Sequence, residues 1–235
     1  MLRGKQDAAL GILFVLCCGL AAWCFKTGEA TGLEVVAFVT SAVAVCLEVK
    51  ENVWNWPWGI VGGGAYVGVC YQSHLNGNAA LNIFFVVEGF VGWFWWVRGG
   101  RWSKQAKSGV PPRGTELKIS SSGLTQAVWL AVLTFLGTWW AMWVLRNEAP
   151  SPLDVFLDAF TTVASIAGEY LLARKYIENW HVWIIVNIVS VPMYLHQNLK
   201  LTAFLYGVFA IMSVLGLLEW RILRARQAAV GETAS

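Results

Sequence analysis

The chain has 235 residues, of which 57% are hydrophobic and only 13% charged, about half the charged share of a soluble domain. A soluble protein of this size has too little interior to hide so much apolar surface, which argues against a water-soluble domain and makes lipid the natural solvent. The net charge of +3 is small, and where the charges sit matters more than their sum.

Eight segments approach the roughly 20 residues that a bilayer-spanning helix needs: 8–25, 31–48, 54–71, 79–98, 124–145, 153–173, 180–196 and 201–222. Lipid satisfies no backbone polar groups, so helices are the expected form. The first segment follows Arg3 and Lys5 as a secretory signal would, but Ala21-Ala22-Trp23-Cys24-Phe25 is a poor cleavage site. It is expected to be a retained helix. The segment 54–71 opens with Asn55-Trp56-Pro57-Trp58-Gly59, and Pro57 in the first turn forfeits no hydrogen bond. Gly62-Gly63-Gly64 and Tyr66 follow, and close helix packing is the commoner reason for such a glycine run. Residues 99–123 form the one long polar stretch, with the Gly, Ser, Pro and Lys of a cytoplasmic linker. Its basic run is better explained by anionic lipid than by nucleic acid.

A repeat organises these segments. Asn55-Trp56 returns 124 positions later as Asn179-Trp180, and at the same offset Leu47 meets Leu171, Gly92 meets Gly216 and Trp96 meets Trp220. A gapless constant offset indicates duplication of a three-helix unit. Partner segments are separated by an even number of spans, so the repeats are parallel, about an axis along the membrane normal. The expected fold is an all-α membrane protein with eight helices arranged 1+3+1+3. An extra helix (1–30) precedes repeat one (31–98). The loop 99–123, a linker helix (124–152), repeat two (153–222) and a cytoplasmic tail (223–235) follow.

With the amino terminus inside, fourteen of the seventeen Lys and Arg residues fall in inner loops, and only Lys26, Arg146 and Lys200 fall outside. The positive-inside rule then puts both termini in the cytoplasm. Trp23, Trp54, Trp56, Trp102, Trp180 and Trp220 lie near predicted interfaces, where headgroup anchoring is the expected role.

Polar residues at membrane depth are the candidate site. Trp183 and Asn187 are four apart and share one helix face, with Asn187 about 10 Å beyond Trp180. A flat indole and a carboxamide with donor and acceptor suit a planar, hydrogen-bonding solute. Asn187 bonded to a neighbouring helix, with Trp183 packed beside it, is an equally good account of these two residues alone. Gln72 and Gln197 near outer helix ends, Asn82, Tyr206, Trp58 and Tyr66 complete the candidate binding set. Glu88, a carboxyl at membrane depth, is a coupling candidate, and Asn55, Trp56 and Asn179 are gating candidates. Asp154, Asp158 and Glu169 near helix ends are expected to be solvated or capping. Five cysteines and three histidines without ligand spacing give no metal site. Nor is there a phosphate-binding loop, HExxH or haem motif, so no cofactor is expected. A membrane enzyme or a non-transporting subunit remains the alternative class.

Ala173-Arg174-Lys175-Tyr176-Ile177-Glu178-Asn179-Trp180, with Trp183 and Asn187, resembles the PnuC family of vitamin-precursor transporters. Asn55-Trp56-Pro57-Trp58-Gly59 and Gly92-Trp93-Phe94-Trp95-Trp96 agree with it, and the resemblance covers roughly 31–222. It implies import of nicotinamide riboside across a bacterial inner membrane by facilitated diffusion, with a cytoplasmic riboside kinase trapping the product. It also implies a SWEET-like fold with full three-helix repeats and a homotrimer. The family's Trp-x-x-x-Asn motif falls on Trp183 and Asn187, set against the nicotinamide ring and its amide. Relatives carry thiamine or riboflavin instead, and a proton-coupled carrier using Glu88 is a further alternative.

Overall fold

The structure, a computed structural model, describes residues 2–72, 76–98, 117–146, 151–196 and 200–233. Within them the chain forms eight helices: α1 (Leu2–Thr27), α2 (Gly32–Val49), α3 (Asn55–Gln72), α4 (Asn76–Arg98), α5 (Leu124–Leu145), α6 (Pro152–Ala173), α7 (Asn179–His196) and α8 (Lys200–Thr233). Five stretches are long and apolar enough to cross a membrane: Gln6–Thr27, Gly32–Val49, Leu124–Val144, Pro152–Ala173 and Ala203–Ala229. α4 has a shorter apolar run, Leu81–Val97. α3 and α7 are diluted by Asn, Gly, His and Ser, which lowers their hydropathy where the polar interior is built. α8 continues past the expected end of its span because no breaker intervenes. Gln227, one turn beyond Leu223, is held by the N–H of Ile119 at 3.1 Å.

Local chemistry sets the helix ends. Thr31 and Glu34 form a capping box at the start of α2, satisfying N–H groups that the first turn leaves free. Ser151 caps α6, and Pro152 takes the first helical position. The exits of α2 and α6 match atom for atom. In one, Glu51 N–H donates to Glu48 C=O at 2.9 Å and Asn52 N–H to Leu47 C=O at 2.9 Å. In the other, Lys175 N–H donates to Leu172 C=O at 2.8 Å and Tyr176 N–H to Leu171 C=O at 2.9 Å. Both are Schellman ends, with Glu51 at φ 56° and Lys175 at φ 51° in the left-handed region.

Within the first unit α2 packs on α3 and α3 on α4, and within the second α6 packs on α7 and α7 on α8. Across the units α4 packs on α6 and α2 on α8. α1 lies against α2 and α8, and α5 against α6. Large apolar side chains of α5, including Trp129, Phe135, Trp139 and Trp143, are exposed, as expected for a surface that faces lipid.

The units meet in a layer of four tryptophans. Trp56 stands edge-on to Trp96 with centroids 5.5 Å apart, Trp180 meets Trp220 in the same way at 5.5 Å, and Trp96 and Trp220 touch across the units at 6.0 Å. Each crossing indole donates to the other unit: Trp96 Nε1 to Leu172 C=O at 3.2 Å, and Trp220 Nε1 to Glu48 C=O at 3.0 Å. Headgroup anchoring therefore does not hold for Trp56, Trp180 and Trp220, which are buried, whereas Trp23 and Trp54 are exposed as expected. Trp102 lies outside the described residues. The rotation of α3, α7 and α8 about their own axes decides this, and proximity to a helix end does not reveal it.

Glycine makes the layer possible. A Cβ on Gly92 would overlap the outer ring edge of Trp56, and one on Gly216 that of Trp180. In the α3 run, a Cβ on Gly62 would lie 2.6 Å from Ser41 Oγ, and one on Gly63 would lie 3.1 Å from Val86 Cγ2. Gly64 has nothing within 4 Å, so two of the three glycines serve close packing. Gly92→Ala and Gly216→Ala are each expected to destabilise the protein by about 1–3 kcal/mol through overpacking. Gly64→Ala is expected to be neutral or slightly stabilising, and thermal unfolding in detergent compares the three.

Candidate functional site

The end of the bundle with the tryptophan layer is also fastened by charge. Lys175 Nζ lies 2.9 Å from Glu51 Oε1, both side chains being largely buried. The ammonium sits 4.2 Å from the centroid of the Trp96 ring, a favourable cation–π position. These partners are 124 positions apart, so equivalent helix exits of the two units bond each other. One position earlier the equivalence persists with altered chemistry: Arg174 lies over Trp95 at 5.3 Å, while Lys50 faces Glu219 at 3.8 Å and contacts Asp7. Asn55 and Asn179, which open α3 and α7, are buried beside this layer. Asn179 Nδ2 donates to Tyr176 C=O at 2.7 Å.

Three polar groups lie further into the bundle. Asn187 is buried, and its Nδ2 donates to Ser213 Oγ at 3.1 Å. Ser213 in turn donates to Phe209 C=O at 2.8 Å. That bond leaves the carboxamide oriented and its oxygen uncommitted to Ser213. Trp183, one turn before Asn187, packs closely on α6 where position 168 is glycine. A Cβ there would be 3.2 Å from Trp183 Cε2. The buried Trp183 Nε1 has no hydrogen-bond partner. Such a donor costs free energy until something accepts from it.

The second group is a pair of acids. Glu88 of α4 and Glu169 of α6 lie within electrostatic reach of each other across the units, and Glu88 Oε2 is buried with no hydrogen-bond partner. Glu169 therefore has a partner in the other unit rather than the solvated or capping role expected of it. Asp154 lies in the capped first turn, its N–H donating to Ser151 Oγ at 3.2 Å and its carboxylate accepting from that hydroxyl at 2.6 Å, and Asp158 is exposed. The third group is a tyrosine cluster: Tyr194 and Tyr206 pack with ring centroids 4.9 Å apart at a tilt of 30°, and Tyr66 of the first unit is within electrostatic reach of Tyr206.

The other candidates disperse. Asn82 is half-buried on α4, its carbonyl facing Gly63. Trp58 and Gln72 are exposed, and Gln197 lies outside the described residues. The sequence reading missed Ser213, Glu169 as an inter-unit partner, Gly168, Tyr194, Glu51 and Lys175. The constant offset held a signal for the last two, since their helix exits fall 124 apart.

The polar set is asymmetric. Where the second unit has Trp183, Asn187 and Ser213, the first has Gly59, Gly63 and Gly89 at the same offset, and Glu88 answers to Met212. One unit presents side chains and the other offers glycine backbone.

The loop between α6 and α7 is pinned from outside. Ser120 N–H donates to Lys175 C=O and Ile177 N–H to Ser120 C=O, both at 3.0 Å. Glu178 accepts from Ser121 Oγ and, at 3.0 Å, from Ser122 N–H. Burial pushes the Glu178 carboxyl up, but these hydrogen bonds and the charge of Arg224 outweigh it and hold it below the usual carboxylate range.

Apolar helices around buried polar side chains define a multi-pass membrane protein. Residues 31–222 match the family model described as nicotinamide mononucleotide transporter, and the chain belongs to that family. Among its relatives, the nicotinamide riboside transporter PnuC of Neisseria mucosa is 28% identical over 88% of this chain and 79% of its own. The PnuC of Escherichia coli is 24% identical, covering 80% of this chain and 84% of its own. The riboflavin/roseoflavin transporter RibM of Streptomyces davaonensis is 25% identical over 83% of this chain and 86% of its own. The crystal structure of the vitamin B3 transporter PnuC superposes with a TM-score of 0.70 at 25% identity, over 92% of both chains.

Two outcomes follow. Glu51→Gln or Lys175→Met alone should cost about 2–3 kcal/mol, because each leaves a largely buried charge without its partner. The double variant should cost clearly less than the sum, which a double-mutant cycle of unfolding measures. Glu178, with its carboxyl held low in the folded state, stabilises the protein above the ordinary carboxylate value of 4.5. That contribution is lost as the pH falls through the depressed value below it. Wild type should therefore unfold at a higher temperature than Glu178→Gln at pH 7, and the gap should close in acid.

Proposed function

We propose that this chain carries nicotinamide riboside across a bacterial inner membrane by facilitated diffusion, the two three-helix units rocking about the tryptophan layer. The observation that carries the substrate reading is the buried, unpartnered indole N–H of Trp183 one turn from the oriented carboxamide of Asn187. A nicotinamide ring stacks on the indole face and its amide exchanges hydrogen bonds with the Asn187 side chain. Ribose hydroxyls reach the tyrosine cluster, with Asn82 and Tyr66 contributing from the first unit. The Glu88–Glu169 pair, when it holds one proton, retains one negative charge to set against the pyridinium.

The arrangement proposed is 1+3+1+3, parallel in its repeats and SWEET-like. The helix pairing supports it, because α4 on α6 and α2 on α8 are equivalent contacts under a two-fold relation. Both termini and the tryptophan layer face the cytoplasm, so the inner end is closed in this state. Opening that end separates Glu51 from Lys175, and Asn55, Trp56 and Asn179 move with it as gating residues. Assembly is as a homotrimer, and a cytoplasmic riboside kinase draws the flux inward. The name of RibM favours a second reading, in which riboflavin is the cargo. A neutral isoalloxazine gains nothing from the carboxyl pair, so charge separates the two.

Calorimetric titration of the purified protein with nicotinamide riboside, riboflavin and thiamine decides the cargo. Asn187→Ala should weaken riboside binding about tenfold or more, equivalent to one or two lost hydrogen bonds of ~1–3 kcal/mol. It should leave the fold intact, because Ser213 keeps its bond to Phe209. An unchanged dissociation constant overturns the site, and a preference for riboflavin retains the site and changes the cargo.

A further inference from the structure

A second concavity, separate from the polar interior, opens at the tryptophan end of the bundle where the start of α7 meets the extension of α8. Its volume is about 450 Å³, and it is lined by Ile177, His181, Arg221, Arg224, Ala225 and Ala228. That is within the size range of small-molecule sites. The four α8 residues recur at the three- and four-residue spacing of one helix face. The two alanines leave room between the arginines, and Ile177 closes the apolar floor. The loop carrying Ile177 is held in place by its hydrogen bonds to Ser120, so the floor exists before any ligand arrives.

Arg224 acts on the Glu178 carboxylate, while the other two basic groups of the lining are less committed. His181, Arg221 and Arg224 are all exposed. The acid nearest Arg224, Glu178, already accepts from Ser121 and Ser122. Among the described residues the ion pairs of basic side chains are those of Lys50, Lys175 and His196, so neither Arg221 nor His181 has an acidic partner. Two guanidinium groups and an imidazole thus line one open recess together with Ile177, Ala225 and Ala228. Guanidinium geometry matches the oxygens of a phosphate group in bidentate fashion. Arginines that only mark a membrane-facing helix end have no need of a recess whose floor can take a ring or a hydrocarbon chain.

We propose that this cavity binds a phosphate-bearing amphiphilic anion. The phosphate oxygens lie on Arg221, Arg224 and His181, and the apolar moiety lies on Ile177, Ala225 and Ala228. The phosphate is either the diester of an anionic phospholipid headgroup or the monoester of a soluble nucleoside monophosphate, and one set of samples separates them. Detergent-purified wild type, the double variant R221Q/R224Q and the control R146Q are compared. Native mass spectrometry follows retention of phosphatidylglycerol against phosphatidylcholine, and calorimetry follows nicotinamide mononucleotide and inorganic phosphate. Wild type and R146Q should retain phosphatidylglycerol selectively, or bind the mononucleotide, at least tenfold better than R221Q/R224Q. The preference should weaken in high salt. Lipid retention without mononucleotide binding assigns the headgroup, and the reverse assigns the soluble phosphate. Equal behaviour of wild type and R221Q/R224Q towards all probes overturns the proposal, as does an equal loss in R146Q. Unchanged unfolding temperatures in the variants establish that the fold is not what was lost.

Discussion

The contact on which the rest of the molecule depends is the exchange between units in the tryptophan layer. Trp96 reaches across to the carbonyl of Leu172 and Trp220 to that of Glu48. Each unit therefore satisfies a buried indole N–H with a carbonyl from the last turn of the other unit's first helix, one that also accepts from the N–H of its own helix exit. Neither unit closes this layer alone. The notches at Gly92 and Gly216 let Trp56 and Trp180 lie behind the crossing indoles, so four large side chains fill one plane without a void. A packed aromatic layer of this kind has discrete arrangements and does not deform continuously.

Charge reinforces the layer where the backbone is least comfortable. Glu51 and Lys175 occupy left-handed positions that glycine would fill at lower cost. A glycine at either would delete half of the ion pair between the helix exits, and the Lys175 ammonium would no longer lie on the Trp96 ring. The strain of about 1–2 kcal/mol per residue is thus tied to a contact between the units rather than to helix termination.

Symmetry stops where binding begins. The two units agree at the tryptophans, the helix exits and the glycine notches. They disagree at the positions occupied by Trp183, Asn187, Ser213 and Glu88. The proposed solute has no two-fold symmetry, so two equal half-sites are not required of the scaffold. The glycines at the matching positions, Gly59, Gly63 and Gly89, pack against their own unit, on Ala44, Val86 and Ile60.

The sequence alone determined the eight helices and the all-helical class of the fold. These rest on local chemistry: apolar runs matched to a bilayer, an offset of constant length, and a rise of 1.5 Å per residue. Trp183 and Asn187 were legible for that reason, as was the doubling of Asn-Trp. Only the tertiary structure decided how far each helix turns about its own axis and which side chains cross between units. It moved Trp56, Trp180 and Trp220 from the membrane surface into the core, and gave Glu169 a partner in Glu88. It also left Trp58 and Gln72 facing outward and paired Glu51 with Lys175. The physical reason is that period fixes which residues share a face, while the direction of that face depends on packing against segments distant in the chain. In α3 and α7 the weak amphipathic contrast of an almost wholly apolar helix leaves that direction unwritten.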